Sequence, residues 1–373
     1  MDCSLSPALS SKWKQSFRRR LLAWYANHKR DLPWRKSQDP YRVWVSEVML
    51  QQTTVAAVKP YFERFIKQFP TVEKLAAADE SQVLRLWEGL GYYRRARGLH
   101  AAAKQVVAEH GGEFPRDVVT LQTLPGIGRY TAGAIASIAY GLRAPILEAN
   151  TIRLLARLLA YPDDPTKSAG QKLLWATAEE ILPRTEVAHF NQALMELGSL
   201  VCTPVNPKCD ACPVSKLCGA FQAGLQNEIP KAGAKQKFTD LREAAVVVRK
   251  NGQLLVRQCG ANERWAGLWD FPRFEIVSEG PLFVREELAT KVREQTGIAI
   301  EPGNLLTTIK HGVTRYRITL DCYAATYSSG KLKSDKNARW IRPAELSELP
   351  LSTTGRKLAN LVNKKHGTRT NAD

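Results

Sequence analysis

The stretch Leu124-Pro125-Gly126-Ile127-Gly128-Arg129-Tyr130-Thr131 decides how the first half of this chain is read. It lies between a short helical segment and an apolar helix over 130–140. Two glycines at this spacing let the backbone turn tightly and come close to a phosphate. The helix that follows offers free N–H groups and the positive end of its dipole to an anion. A hairpin of this kind grips a nucleic-acid backbone without reading its sequence. Taken alone it could equally be a plain turn between two helices, so its surroundings decide.

Those surroundings are helical. In Trp13, Phe17, Leu21, Trp24 and Tyr25 apolar residues recur at three- and four-residue steps, leaving Arg18, Arg19 and Arg20 largely on the other face. Similar segments follow near 40–53, 55–68, 80–88, 95–109, 128–140, 149–160, 168–182 and 187–200. Asp39-Pro40, Phe69-Pro70, Gly111-Gly112 and Pro162-Asp163-Asp164-Pro165 punctuate them. Residues 1–225 therefore read as an all-α domain. Residues 226–240, with Pro230, Gly233, Lys231, Lys235 and Lys237, read as a linker. Beyond it the period changes to that of strands. Ala244 to Arg249 and Gln253 to Arg257 flank Asn251-Gly252, the strongest short hairpin signal. A helix over about 282–296 and strands near 305–310, 314–327 and 337–341 complete an α+β domain over 241–360. Residues 361–373 read as a disordered tail. No short-period repeat is present.

Fifty-four Lys and Arg against 36 Asp and Glu leave a net charge of 54 − 36 = +18 on 373 residues. That excess points to a polyanionic partner, nucleic acid ahead of membrane, against the plain alternative of a soluble basic protein. With 44% hydrophobic and 24% charged residues, whole-chain disorder is excluded. The best apolar run, Thr131 to Leu147, is broken by Gly141, Arg143 and Pro145 and is too short to span a bilayer. Trp13 to Arg30 is amphipathic and basic, without the apolar stretch of a signal peptide, so a cytoplasmic protein is expected.

Of seven cysteines, four fall within one loop as Cys202-x6-Cys209-x2-Cys212-x5-Cys218. Cys3, Cys259 and Cys322 are scattered, so a metal site is expected and a disulfide scaffold is not. Four thiolates so close can wrap one tetrahedral metal or one cubane cluster, and on spacing alone zinc stays open.

Two acidic residues stand out. Glu47, in Trp44-Val45-Ser46-Glu47-Val48-Met49-Leu50-Gln51-Gln52-Thr53, sits among apolar neighbours on a helix. Desolvation there would raise its pKa and let it hold a proton near neutrality; the plain alternative is a surface glutamate. Glu148-Ala149-Asn150-Thr151 begins the helix over 149–160, where Glu148 and Asn150 are either capping groups or lining of the same cleft. Two carboxylates facing a glycosidic bond are what its cleavage requires. One protonates the leaving group and the other stabilises an oxocarbenium-like sugar.

Together these features resemble the helix-hairpin-helix DNA glycosylases with an iron–sulfur loop, most closely the MutY family, over almost the whole chain. Trp34-Arg35, Glu47 to Thr53, Trp87-Glu88-Gly89-Leu90-Gly91-Tyr92-Tyr93 and Phe190-Asn191-Gln192-Ala193-Leu194 look like that family's blocks. The resemblance implies a 4Fe–4S cluster on Cys202, Cys209, Cys212 and Cys218. It implies that Glu47 protonates adenine, that Tyr130 and Asn150 line the sugar and purine site, and that Gln192 contacts the base. Gln52 and Tyr92 would fill the stack around the flipped base. Trp34, Arg35, Leu50, Gly126 and Gly128 would serve substrate or DNA binding. The implied partner is duplex DNA carrying adenine opposite 8-oxoguanine or guanine. The implied product is an abasic site, and the enzyme is expected to be a monomer.

The sister group, endonuclease III, uses a lysine nucleophile where this chain has Tyr130, which cannot form a Schiff base. Residues 241–345 look like the family's Nudix-type domain, with Arg293-Glu294-Gln295-Thr296-Gly297-Ile298 as the end of a Nudix box. Thr290-Lys291 stands where Arg-Glu is expected, so a lesion reader without nucleotide hydrolysis is implied. Two departures matter. The family's Asp-Gly-Asn is here Glu148-Ala149-Asn150, and Glu148 takes the second carboxylate's role. Its Phe-Ser-His loop is here His311-Gly312-Val313-Thr314-Arg315, which makes Thr314 and Arg315 the lesion contacts. A non-catalytic lesion-binding protein is the rival class.

Overall fold

The computed structural model describes residues 9–231, 233, 237–333 and 337–367. Cys3, part of the expected linker (232 and 234–236) and the last six residues lie outside them. Helices span Ser11–His28 (α1), Pro40–Leu50 (α2), Val55–Gln68 (α3), Val72–Ala76 (α4), Glu80–Trp87 (α5), Arg94–His110 (α6) and Val118–Leu121 (α7). They continue with Arg129–Tyr140 (α8), Ala149–Leu158 (α9), Ser168–Ile181 (α10), Val187–Leu200 (α11), Gly219–Gln222 (α12), Pro281–Thr296 (α13) and Thr353–Gly367 (α14). Strands span Thr239–Lys250 (β1), Gln253–Gln258 (β2), Trp269–Asp270 (β3), Arg273–Glu275 (β4), Ile298–Val313 (β5), Tyr316–Gly330 (β6) and Ala338–Ile341 (β7). The chain groups into two units, 1–77 with 98–235 and 78–97 with 236–373.

The first unit is helical, and its helices begin and end where local chemistry dictates. The Asp39 side chain accepts from the Tyr41 N–H, and Pro40 takes the first position of α2, where no N–H is needed. Phe17, Leu21 and Tyr25 of α1, Leu154 and Leu155 of α9, and Phe190, Leu194 and Leu197 of α11 form the core. Each side chain so enclosed contributes on the order of 2 kcal/mol. Helix α11 packs against α1, α8 and α9, and α2 packs against α8. These are the helices that carry the carboxylates and the hairpin. The hairpin joins α7 to α8, with Gly126 at φ +77°, a conformation that favours glycine. Leu124 and Ile127 are buried beneath the turn, while Gly126 and Gly128 face solvent.

The second unit is α+β. One sheet has the order β3-β2-β1-β6-β5, with β4 on β1 and β7 on β2; β1 and β6 run parallel. Along β1, Ala245 and Val247 face a core shared with Leu358, Ala359 and Val362 of α14. Ala244, Val246 and Val248 face another, shared with Val284, Leu288 and Val292 of α13. Helices on both faces explain why β1 is apolar without alternation. Helix α5 belongs to this unit: Glu88 accepts from Arg356 Nε at 2.7 Å and Nη2 at 3.0 Å.

Two readings of the sequence are corrected. The strand expected from 314 starts at Tyr316, because Val313 pairs with Tyr316 and leaves Thr314-Arg315 as a two-residue turn. Thr314 takes φ +49° there. The tail expected to be disordered from 361 is helical through Gly367, since Leu358, Ala359 and Val362 give α14 an apolar face to bury.

Candidate active site and iron–sulfur loop

Glu47 lies on the inner face of α2 and is 5% exposed. The Tyr130 hydroxyl, from the first turn of α8, donates to its Oε2. The Tyr130 oxygen also lies 3.4 Å from Met195 Sδ of α11. Burial pushes the Glu47 carboxyl up to about 7; the Tyr130 hydrogen bond opposes this, the charge of Glu148 reinforces it, and Arg35 opposes it. Burial, then the charges of Glu47 and Glu148, raise Tyr130 well above the ordinary phenol value, so it stays a hydrogen-bond donor. Near neutral pH a carboxyl poised between its protonated and ionised forms is therefore hydrogen-bonded to a neutral phenol.

Glu148 is the N-cap of α9. Its carboxylate accepts from Asn150 N at 2.9 Å, Thr151 N at 3.0 Å and Asn150 Nδ2 at 3.2 Å. The plain reading of Glu148 as a capping group thus holds geometrically. Its charge also acts on Glu47 and Tyr130, raising the pKa of each. Burial raises its own pKa, and the N–H groups of Asn150 and Thr151 pull the other way. Asn150 Oδ1 accepts from Arg153 Nη2 at 2.9 Å, and Arg153 Nε donates to the Cys202 carbonyl at 2.7 Å. A side chain at Gly198 would fall 2.8 Å from Asn150 Cβ, so the absence of one lets α11 close on this helix start.

Gln192 is on the same face of α11 as Met195 and Glu196, and its Oε1 accepts from Tyr25 at 2.6 Å. Glu196, fully buried, holds Arg30 (Nε 2.7 Å, Nη2 2.9 Å) and Arg35 (Nη2 2.8 Å). Burial works against its ionisation, but the hydrogen bonds from Arg30 and Arg35 win and pull it down to about 2. In the sequence Tyr25 reads only as part of an apolar helix face, and Met195 and Glu196 are not marked out. The i, i+3, i+4 spacing of Gln192, Met195 and Glu196 was the available signal for two of them.

The other candidates divide. Trp34 is buried edge-on against Phe62 in the core. Leu50 is half-buried at the end of α2, and Gln52 is exposed with φ +56°. Its neighbour Gln51 is the residue that reaches α8, donating to Thr131 Oγ1 at 3.3 Å. Tyr92, Thr314 and Arg315 belong to the second unit. Tyr92 is 48% exposed with φ +49°, and Arg315 lies over the Tyr316 ring. An exposed aromatic held at positive φ is backbone strain of the kind kept at functional positions.

The four cysteines of the loop line one pocket with Leu154, Arg157, Val201 and Phe221. Among the described residues no three His, Cys, Asp or Glu side chains converge on one ion position. The pocket is lined by four cysteines and, among the described residues, by no histidine or carboxylate, the all-thiolate donor set that a cubane takes. Burial, more than the neighbouring thiols, pushes Cys212 up to about 12, so thiolates here need a cationic group to compensate them. Arg157, fully enclosed, donates to Cys202 Sγ at 3.3 Å and to the Thr203 carbonyl at 2.7 Å. The residues fit a 4Fe–4S cluster.

Family models match three stretches of the chain. Residues 45–180 match the HhH-GPD superfamily of base excision DNA repair proteins, 202–218 the iron–sulfur binding domain of endonuclease III, and 243–361 the NUDIX domain. The chain is 44% identical over 301 residues to the adenine DNA glycosylase of Rattus norvegicus, covering 78% of this chain and 57% of that protein. It is 37% identical over 260 residues to the adenine DNA glycosylase of Buchnera aphidicola subsp. Schizaphis graminum, covering 69% of this chain and 75% of that one. A solved thermostable thymine-DNA glycosylase superposes with a TM-score of 0.51 at 30% identity, over 57% of this chain and 98% of that one. The chain spans little more than half the length of the mammalian relatives it matches.

Proposed function

The chain belongs to the adenine DNA glycosylase family, and on that footing we propose that it hydrolyses the N-glycosidic bond of adenine mispaired with 8-oxoguanine or guanine, leaving an abasic site in duplex DNA. The observation that carries this reading is the enclosed Glu47 carboxyl, hydrogen-bonded by Tyr130 and pushed up to about 7. Adenine turns out of the stack into the helical cleft. Glu47 gives its proton to N7, so that the base departs neutral. The Glu148 carboxylate stabilises the cationic sugar, and Tyr130 and Asn150 hold it. Glu47, now a carboxylate, takes a proton from the attacking water.

Gln192 contacts the base, and Arg35 and Leu50 border its site. Gln52 and Tyr92 fill the space left in the stack. Gly126 and Gly128 bring the hairpin close to the DNA backbone, which fixes register without reading sequence. The 4Fe–4S cluster, when bound to Cys202, Cys209, Cys212 and Cys218, supplies a rigid loop. The helical domain, 1–225, carries the chemistry. The Nudix-like domain, 241–360, reads the lesion through Thr314 and Arg315. Tyr130, standing where a lyase keeps its lysine, supports base hydrolysis without strand cleavage. No described helix is long and apolar enough to cross a membrane. The protein acts as a monomer on cytoplasmic, nucleoid DNA.

The test is a single-turnover assay on duplexes carrying adenine opposite 8-oxoguanine or guanine. Free adenine with an intact strand, cut only after alkali, is expected. Binding without base release would favour a lesion sensor, and spontaneous strand cutting a lyase.

A further inference from the structure

Gln192 is half-buried on α11, and its carbonyl oxygen is not free. The Tyr25 hydroxyl, on α1, donates to Gln192 Oε1 at 2.6 Å across 167 residues of sequence. Tyr25 is 3% exposed, packed in the core with Phe17, Leu21 and Phe190, and the Arg35 guanidinium lies 5.8 Å from its ring centroid. The phenol therefore cannot swing away. Among the described residues its hydroxyl has this one hydrogen-bond partner. If the amide were turned round, the phenol oxygen could only accept from Nε2–H, and the buried phenol proton itself would be left without an acceptor, which is costly. Burial, partly offset by Arg35, raises the Tyr25 pKa, so the proton is present at any physiological pH. The amide sense is thus imposed from behind by a residue that reaches the cleft only through Gln192.

We propose that Tyr25 is a positioning residue for base selection: it locks Gln192 so that the cleft offers Nε2–H as donor and one remaining Oε1 lone pair as acceptor, in fixed order. The proposal rests on the adenine-excision reading and deepens it. A purine with a 6-amino group and an unprotonated ring nitrogen beside it matches that order. A 6-oxo purine presents a carbonyl oxygen in place of the amino donor and is mismatched. A glutamine free to turn over serves either edge, because swapping its two ends reverses the pattern. A fixed amide is therefore a device for rejection as much as for attraction.

The experiment compares single-turnover base release from duplexes with adenine or hypoxanthine opposite guanine. The readout is the adenine-to-hypoxanthine rate ratio. Tyr25→Phe keeps the ring and removes the hydroxyl. It is expected to lower the ratio by about 3- to 10-fold, the effect of one hydrogen bond, while the same change in a Gln192→Ala background leaves the ratio within about twofold. A merely structural role for Tyr25 would slow both substrates alike. Should Tyr25→Phe fail to fold, Gln192→Glu keeps the acceptor for Tyr25 but removes the donor and is expected to lower the ratio in the same direction. An unchanged ratio in the variant that folds, or an equal shift in the Gln192→Ala background, overturns the proposal while wild-type adenine excision upholds the enzyme's activity. Failure of the wild type to release either base overturns both.

Discussion

Glu47 and Glu196 are both buried glutamates on inward helix faces of the same unit, at 5% and 0% exposure, yet they end in opposite charge states. Burial raises both. Glu47 has only a phenol hydrogen bond and the distant pull of Arg35 against it, and settles at about 7. Glu196 has Arg30 and Arg35 in direct contact, and settles at about 2. Arg35 appears on both sides of this comparison. Because its guanidinium is committed to Glu196 at 2.8 Å, the cation that would otherwise ionise Glu47 is spent elsewhere. One carboxyl is built to carry a proton, the other to carry a charge.

The largest break in the comparison is Glu47→Gln. The amide keeps shape and polarity but cannot donate a proton to the leaving base, and general acid catalysis is worth roughly 10²–10⁴-fold. Mismatch binding with essentially no excision is expected in a single-turnover assay; retention of more than about a tenth of the wild-type rate removes Glu47 from the chemistry. The same variant carries a stability signature. A raised carboxyl pKa contributes stability below the unfolded value of 4.5, and that contribution is lost as the pH rises through about 7. Above that, Glu47 is a buried charge costing up to about 3 kcal/mol. Glu47→Gln should therefore melt higher than wild type at mildly alkaline pH and lose that advantage in acid.

Glu196→Gln probes the other side. Two guanidiniums would lose their buried partner, and breaking such a pair typically costs about 3–5 kcal/mol. A clear fall in Tm is expected. Activity per folded molecule should show a pH profile displaced to lower pH, because Arg35 is then free to favour ionised Glu47. A normal melting temperature would mean that the Arg30 and Arg35 contacts carry little.

Glu148 stands between the two. If its charge serves the sugar cation, Glu148→Gln should slow chemistry by at least about tenfold with mismatch affinity unchanged, and Glu148→Asp should retain activity. If the cap is its whole role, Gln costs about 1 kcal/mol of stability and leaves the rate near wild type.

How much of this was legible depends on the range of the interactions. The long helices were readable because apolar spacing and the Asp39-Pro40 type of punctuation are local. Glu47 was readable because Val45, Val48 and Met49, its neighbours in sequence, are apolar, a local sign that this stretch of α2 is buried. The Tyr25–Gln192 bond and the Glu196 clamp were not, since each joins α1 or the turn after it to α11 across more than 160 residues. Trp34 carried a block that looked like binding surface, yet its ring is spent on Phe62. Helix α14 was missed because its polar residues outnumber the few that bury, and only the sheet beneath them supplies the reason to fold.

The central claim is that Glu47 holds a proton near neutrality and spends it on the base. The pH dependence of single-turnover adenine release, followed from about pH 6 to about pH 8, tests it most directly. The expected profile has a plateau on the acid side and a tenfold loss per pH unit above a single apparent pKa of about 7. A rate that stays flat or rises through pH 8 would contradict it.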